Sequence, residues 1–115
     1  MTTLSTHILD LTVGRPAADV AVRLYRREDH GETLVAARHT DADGRARLLD
    51  AGELALGRWR LSYEIGVYFA RAGVEGPTPA FLDTICVDFV VAEEGRAYHV
   101  PLLVSPYGYS TYRGS

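Results

Sequence analysis

Two histidines and one arginine are the residues with most chemistry to offer. His7 sits in Ser5-Thr6-His7-Ile8-Leu9-Asp10, His99 in Tyr98-His99-Val100-Pro101, and Arg45 follows the run Asp41-Ala42-Asp43-Gly44. Histidine titrates near neutral pH and serves as general base or metal ligand. Both histidines lie in extended stretches among apolar residues. An imidazole placed there is either hydrogen-bonded and passive or lines a site. Arg45 taken alone reads as a solvated hairpin flank. Its functional reading is a planar fork of N–H donors for a carbonyl or an anion, which lysine would not reproduce.

The remaining candidates weigh less. His30 lies in a charged turn and His39 at a strand end, and both read as structural or solvated. No His-x-x-x-His pair falls on a predicted helix, so zinc at His7 and His99 would need further contacts from the fold, and no metal site is assigned. Asp41-x-Asp43-Gly44 resembles the start of a calcium loop but lacks its other ligands and closing glutamate. Cys86 is the sole cysteine, which excludes an internal disulfide, and no neighbour in sequence activates it. No nucleophile elbow, phosphate loop or dinucleotide fingerprint is present.

The elements that must position these residues read as strands. Ser5 to Leu11 is a short strand whose alternation is imperfect: Leu4 and Ile8 fall opposite Leu9 and Leu11, which suggests cover on both faces. Residues 14–19 form a loop. Val20, Val22 and Leu24 alternate with Ala21, Arg23 and Tyr25, and Leu34 to Thr40 returns as a strand after the turn at Glu28–Glu32. Gly44 suits a positive φ in the turn before Arg45. Residues 48–57 read as a loop with a short edge strand. Trp59, Leu61, Tyr63 and Ile65 alternate strongly. Val67 to Ala72 is a short helix closed by Gly73. Ile85, Val87, Phe89 and Val91 give an apolar strand face. Tyr98 to Val104 alternates again, Ser105-Pro106-Tyr107-Gly108 turns, and Tyr109 to Arg113 suits a last strand.

Many short strands with one helix argue an all-β antiparallel sandwich. A chain of 115 residues carries one core, and a single domain over residues 1–115 is expected. Net charge is −3, so no broad basic surface for nucleic acid is implied. The start of the chain offers neither a basic n-region nor a long apolar run, so no signal peptide and no membrane span are read, and a cytoplasmic location is expected.

Four motifs, in order along nearly the whole chain, carry a family resemblance. They are Ser5-Thr6-His7-Ile8-Leu9-Asp10, Asp43-Gly44-Arg45, Tyr98-His99-Val100-Pro101-Leu102 and the terminal Tyr112-Arg113-Gly114-Ser115. The sequence resembles the 5-hydroxyisourate hydrolases, the enzyme branch of the transthyretin-like family. The terminal motif marks that branch and is missing from transthyretin itself. Phe81-Leu82-Asp83 departs from the aromatic pair and proline that relatives often carry. The resemblance implies a transthyretin-like sandwich, a homotetramer with sites at the dimer–dimer interface, and no cofactor. It implies hydrolysis of 5-hydroxyisourate to 2-oxo-4-hydroxy-4-carboxy-5-ureidoimidazoline. His7 and His99 become the base and its partner, with the order left open. Arg45 polarises the carbonyl, and Tyr112, Arg113, Gly114 and Ser115 shape the pocket. The alternatives are a non-enzymatic small-molecule carrier like transthyretin and a carboxypeptidase-regulatory-like structural sandwich.

Overall fold

The computed structural model describes residues 3–73 and 76–114. Nine strands and one helix follow in order: β1 (Leu4–Asp10), β2 (Arg15–Pro16), β3 (Ala21–Glu28), β4 (Gly31–His39), β5 (Arg45–Leu49), β6 (Gly57–Glu64), α1 (Ile65–Ala72), β7 (Thr84–Val91), β8 (Tyr98–Ser105) and β9 (Gly108–Thr111). They form the expected two-sheet β-sandwich. One sheet runs β4-β3-β6-β7, and the other runs β2-β1-β8-β9 with β5 also paired to β1. The core between them includes Leu4, Ile8, Leu24, Leu48, Leu61, Tyr63, Leu102 and Val104, all buried. Strand alternation explains this: every second residue of β1, β3 and β8 points inward.

Three sequence expectations meet a different outcome. The sheets are not wholly antiparallel, because β1 and β8 pair in parallel from Leu4↔Tyr98 to Asp10↔Val104. β1 is also not covered evenly on both faces. Leu4, Thr6, Ile8 and Asp10 are its buried set, and Leu11 lies beyond the strand, exposed. The inward polar residues are satisfied. Thr6 Oγ1 donates to the Val100 carbonyl at 2.6 Å and meets the Tyr63 hydroxyl at 2.9 Å. Asp10 accepts from the Tyr68 hydroxyl at 2.8 Å and from the Thr12 N–H at 2.9 Å. Finally, the strand expected within residues 48–57 begins earlier, at Arg45 itself.

Tyr68 lies on α1, whose buried residues Ile65, Tyr68 and Phe69 close one end of the sandwich. Gly73 terminates the helix in the left-handed conformation, as expected. Burial and the bond to Asp10 push the Tyr68 hydroxyl up to about 12. Among the described residues no helix is long and apolar enough to cross a membrane.

Candidate active site

β1 is the strand on which the site is built. Its N-terminal half pairs β5 on one edge, bringing His7 opposite Arg45 and Ser5 opposite Arg47. Its other edge pairs β8, bringing Ser5 opposite His99. Ser5, His7 and Leu9 of β1, Arg45 and Arg47 of β5, and His99 and Leu103 of β8 therefore share the outer face of this sheet, away from the core. Ser5, His7 and His99 are half-buried there, and Arg45 is exposed. The two histidines are thus not core residues caught among apolar neighbours. Their apolar neighbours in sequence point the other way.

The turn before β5 locks Arg45 to β1. Asp41 Oδ1 accepts from the backbone N–H groups of Asp43 and Arg45, both at 2.9 Å. Gly44 has φ +76, as a turn glycine should, and its carbonyl accepts from the Ile8 N–H at 2.8 Å. A Cβ on Gly44 would sit 2.5 Å from the Ile8 carbonyl oxygen, so the close docking of the turn also requires glycine.

The hydrogen bonds constrain the imidazoles. His7 Nε2 lies 2.9 Å from the Asp43 carbonyl oxygen. A carbonyl only accepts, so Nε2 carries a hydrogen, and in a neutral ring Nδ1 is the free lone pair. His99 Nδ1 lies 2.8 Å from Ser5 Oγ, leaving Nε2 without that constraint. Burial, then the charge of Arg45 and then that of His7, lowers the His99 pKa below the ordinary 6.5. His99 therefore prefers its neutral form at neutral pH.

A cleft of about 670 Å³ opens beside this cluster, lined in part by Ser5, Arg45 and His99. His7 is not on its wall. It stands beside Arg45 across the β1–β5 pair. Arg38 and Arg47, not singled out from the sequence, also line the cleft, as does His39, which the sequence reads as structural or solvated. The dipeptide Arg38-His39 shortly before the Asp-Gly-Arg turn was the available signal, since a tight turn keeps the residues on its two sides close even where the chain crosses from one sheet to the other.

The C-terminal residues divide. β9 runs antiparallel to β8, and the chain continues until Gly114 bridges His99, with the Gly114 N–H donating to the His99 carbonyl at 2.7 Å. A Cβ on Gly114 would lie 2.7 Å from His99 Cδ2, so glycine here leaves room for the ring. Its value is close approach. Tyr112 and Arg113 face elsewhere within one chain. They line a smaller hollow of about 130 Å³ with Val87, Phe89 and Val100, and the Arg113 guanidinium stacks 4.4 Å over the Tyr98 ring. Ser115 lies outside the described residues. Among the described residues no three His, Cys, Asp or Glu side chains gather to hold a metal ion.

A two-sheet sandwich with a His–Arg–His cluster on the outer face of one sheet defines the class of protein. The sequence profile of the HIUase/Transthyretin family matches residues 4–114, and the chain belongs to that family. A 5-hydroxyisourate hydrolase of Caulobacter vibrioides is 51% identical over 115 residues, covering the whole of both chains. The solved 5-hydroxyisourate hydrolase of Klebsiella pneumoniae is 43% identical over the full length of both chains, with a TM-score of 0.82. Sea bream transthyretin in complex with thyroxine is 30% identical, with a TM-score of 0.86 over 96% of this chain and 93% of that one.

Proposed function

We propose that the protein hydrolyses 5-hydroxyisourate to 2-oxo-4-hydroxy-4-carboxy-5-ureidoimidazoline, a step of urate breakdown within purine degradation, and acts in the cytoplasm. Shape does not choose between enzyme and carrier, because transthyretin overlaps the chain at least as well as the Klebsiella enzyme does. The observation that carries the reading is the pairing of that full-length identity to hydrolases with a neutral imidazole beside an arginine at one cleft.

The geometry supports the following chemistry. His99 acts as base in the tautomer whose Nδ1–H donates to Ser5 Oγ, which leaves the Nε2 lone pair free. Nε2 takes a proton from water as its oxygen adds to the ring carbonyl. The charge that develops on the carbonyl oxygen faces the Arg45 fork. Nε2 then returns the proton to the departing ring nitrogen as the C–N bond breaks. The carboxylic acid so formed ionises, so each turnover releases one proton. His7 stands beside Arg45 across the β1–β5 pair and acts as the partner of the base, its Nε2 held by the Asp43 carbonyl.

The working form is a homotetramer with sites at the dimer–dimer interface. An outer sheet face carrying half-buried histidines, Leu9 and Leu103 gains cover from a partner copy. The tail residues Tyr112, Arg113, Gly114 and Ser115 complete the pocket in that assembly.

The test is the ultraviolet decay of freshly generated 5-hydroxyisourate. Acceleration by the protein, lost by about 10²–10⁴-fold in His99→Ala, is the expected result. Decay at the spontaneous rate rejects the enzyme and leaves the carrier reading.

A further inference from the structure

The cleft holds more positive charge than the proposed chemistry uses. The chain has 12 arginines and no lysine, on a protein of net charge −3. Three of them, Arg38, Arg45 and Arg47, line this one cleft, against a single acidic lining residue, Asp41. Oδ1 of Asp41 is already occupied by two backbone N–H groups. Arg45 is assigned above to the reacting carbonyl. Arg38 and Arg47 have no comparable task.

Among the described residues neither is held by a strong partner. Arg47 reaches Asp50 only at 3.9 Å, with both side chains mostly exposed. A pair of that kind contributes little and exchanges readily. Arg38 Nη1 donates to the carbonyl of its own neighbour Ala37 at 2.8 Å and keeps its other donors. By contrast, Arg60 on the other sheet is fully committed: it grips Asp88 through Nε at 2.6 Å and Nη2 at 3.1 Å, and Glu32 through Nη1 at 3.0 Å. The fold pairs its arginines where it needs structure and leaves these two available beside His99.

Arg38 comes from the end of β4 and Arg47 from β5. The Asp41–Gly44 turn joins those strands, and β5 belongs to the sheet of the histidines. Two forks from opposite sides of one turn suit a planar carboxylate, which accepts two N–H groups on each oxygen.

We propose that Arg38 and Arg47 form a carboxylate subsite of the cleft, which holds the carboxylate that ring hydrolysis creates. The inference rests on the hydrolytic reading for its biological ligand but on the arginines alone for its binding chemistry. Hydrolysis adds water across the C–N bond: one hydrogen goes to the nitrogen, the hydroxyl to the carbon, and the acid loses its proton. The product carries an anionic group at the carbon that was a carbonyl, next to Arg45. Arg38 and Arg47 receive that group as it forms and carry it away from the base. The same field draws in anionic ligands from solution.

The probes are orotate and uracil, which share a planar ring and differ by one carboxylate. Calorimetry on the tetramer or whatever oligomer the protein forms is expected to show orotate binding at least about tenfold more tightly than uracil, as charge-assisted bonds to two arginines predict. Arg38→Gln/Arg47→Gln should abolish that preference. Arg38→Lys/Arg47→Lys should keep part of it, because the charge stays and the fork is lost. Arg58→Gln makes the same charge change on the other sheet, where Arg58 pairs with Asp29, and should alter nothing. In the hydroxyisourate assay the double glutamine variant should lose about tenfold in kcat/KM and most of the fall of kcat/KM with added salt. Equal binding of orotate and uracil by the parent protein overturns the subsite. So does an orotate preference that survives the double glutamine change. A parent protein that prefers orotate as described yet does not hydrolyse hydroxyisourate would sink the proposed reaction and leave the subsite standing.

Discussion

Burial and the guanidinium of Arg45 both disfavour a proton on His99. The folded pKa lies below the unfolded value, so the sign of the linkage is fixed. The stability associated with neutral His99 is fully present above about pH 6.5. It is lost as pH falls from there through the folded pKa, because the unfolded chain takes up the proton first. The same shift keeps the base ready below neutrality. The acid limb of kcat/KM should accordingly lie below pH 6.5. Arg45 has two separable effects on this profile. Arg45→Gln removes both the charge and the fork, so kcat/KM should drop about 10²–10³-fold, as loss of an oxyanion donor does, and the acid limb should move up. Arg45→Lys keeps the charge, so the limb should stay in place while the rate still falls. Identical limbs in the two variants would show that Arg45 does not act on the base electrostatically.

The turn from Asp41 to Gly44 is the element that turns three separate strands into one site. It sets Arg45 against His7, fixes the His7 tautomer through the Asp43 carbonyl, and docks on β1 through Gly44. Gly44→Ala meets two obstacles at once, a φ of +76 and the Ile8 carbonyl at 2.5 Å. A loss of about 1–3 kcal/mol from the backbone alone is expected, read as a lower melting temperature. The rate should fall further than stability, since both His7 and Arg45 move. Gly31→Ala provides the comparison: its φ is +132, but a Cβ there meets no atom within 4 Å. Equal effects on rate from the two changes would remove the turn's positioning role. This turn was legible in the sequence, because Asp-x-Asp-Gly announces its own geometry. The strand alternations of β3, β6, β7 and β8 were equally plain. β1 was not, because its inward positions include Thr6 and Asp10, whose partners Tyr63 and Tyr68 stand more than fifty positions away. Nor was the parallel β1–β8 pair, since strand direction leaves no trace in a local pattern. Arg38 and Arg47 escaped notice for a related reason. Exposed arginines on strands look solvated until the fold puts them on the wall of one cleft.

The whole molecule raises a question of which chain serves which site. Within one chain, β1, β5 and β8 gather His7, Arg45 and His99, and among the described tail residues Gly114 is the one that returns to them. Arg113 instead stacks on Tyr98, on the side of the hollow lined by Val87 and Phe89. If Arg113 belongs to the working pocket, a homotetramer can supply it to the site of another copy. That arrangement makes a quantitative prediction. His99→Ala and Arg113→Ala chains, each inactive as a homo-oligomer, are co-expressed with different tags and the mixed oligomer is purified on both. Random assembly places an intact His99 beside a partner's intact Arg113 in about one quarter of sites, so roughly a quarter of the parent activity should return. If both residues must come from one chain, no site in the mixture is complete and the activity stays at background. Point variants suit this test better than a truncated tail, because Gly114 must stay beside His99 to keep β8 and the ring in place. Sedimentation on the same sample tests whether a tetramer forms. A mixed tetramer with background activity would put the tail and the histidines in the same chain. An Arg113→Ala parent with full activity would remove Arg113 from the site altogether.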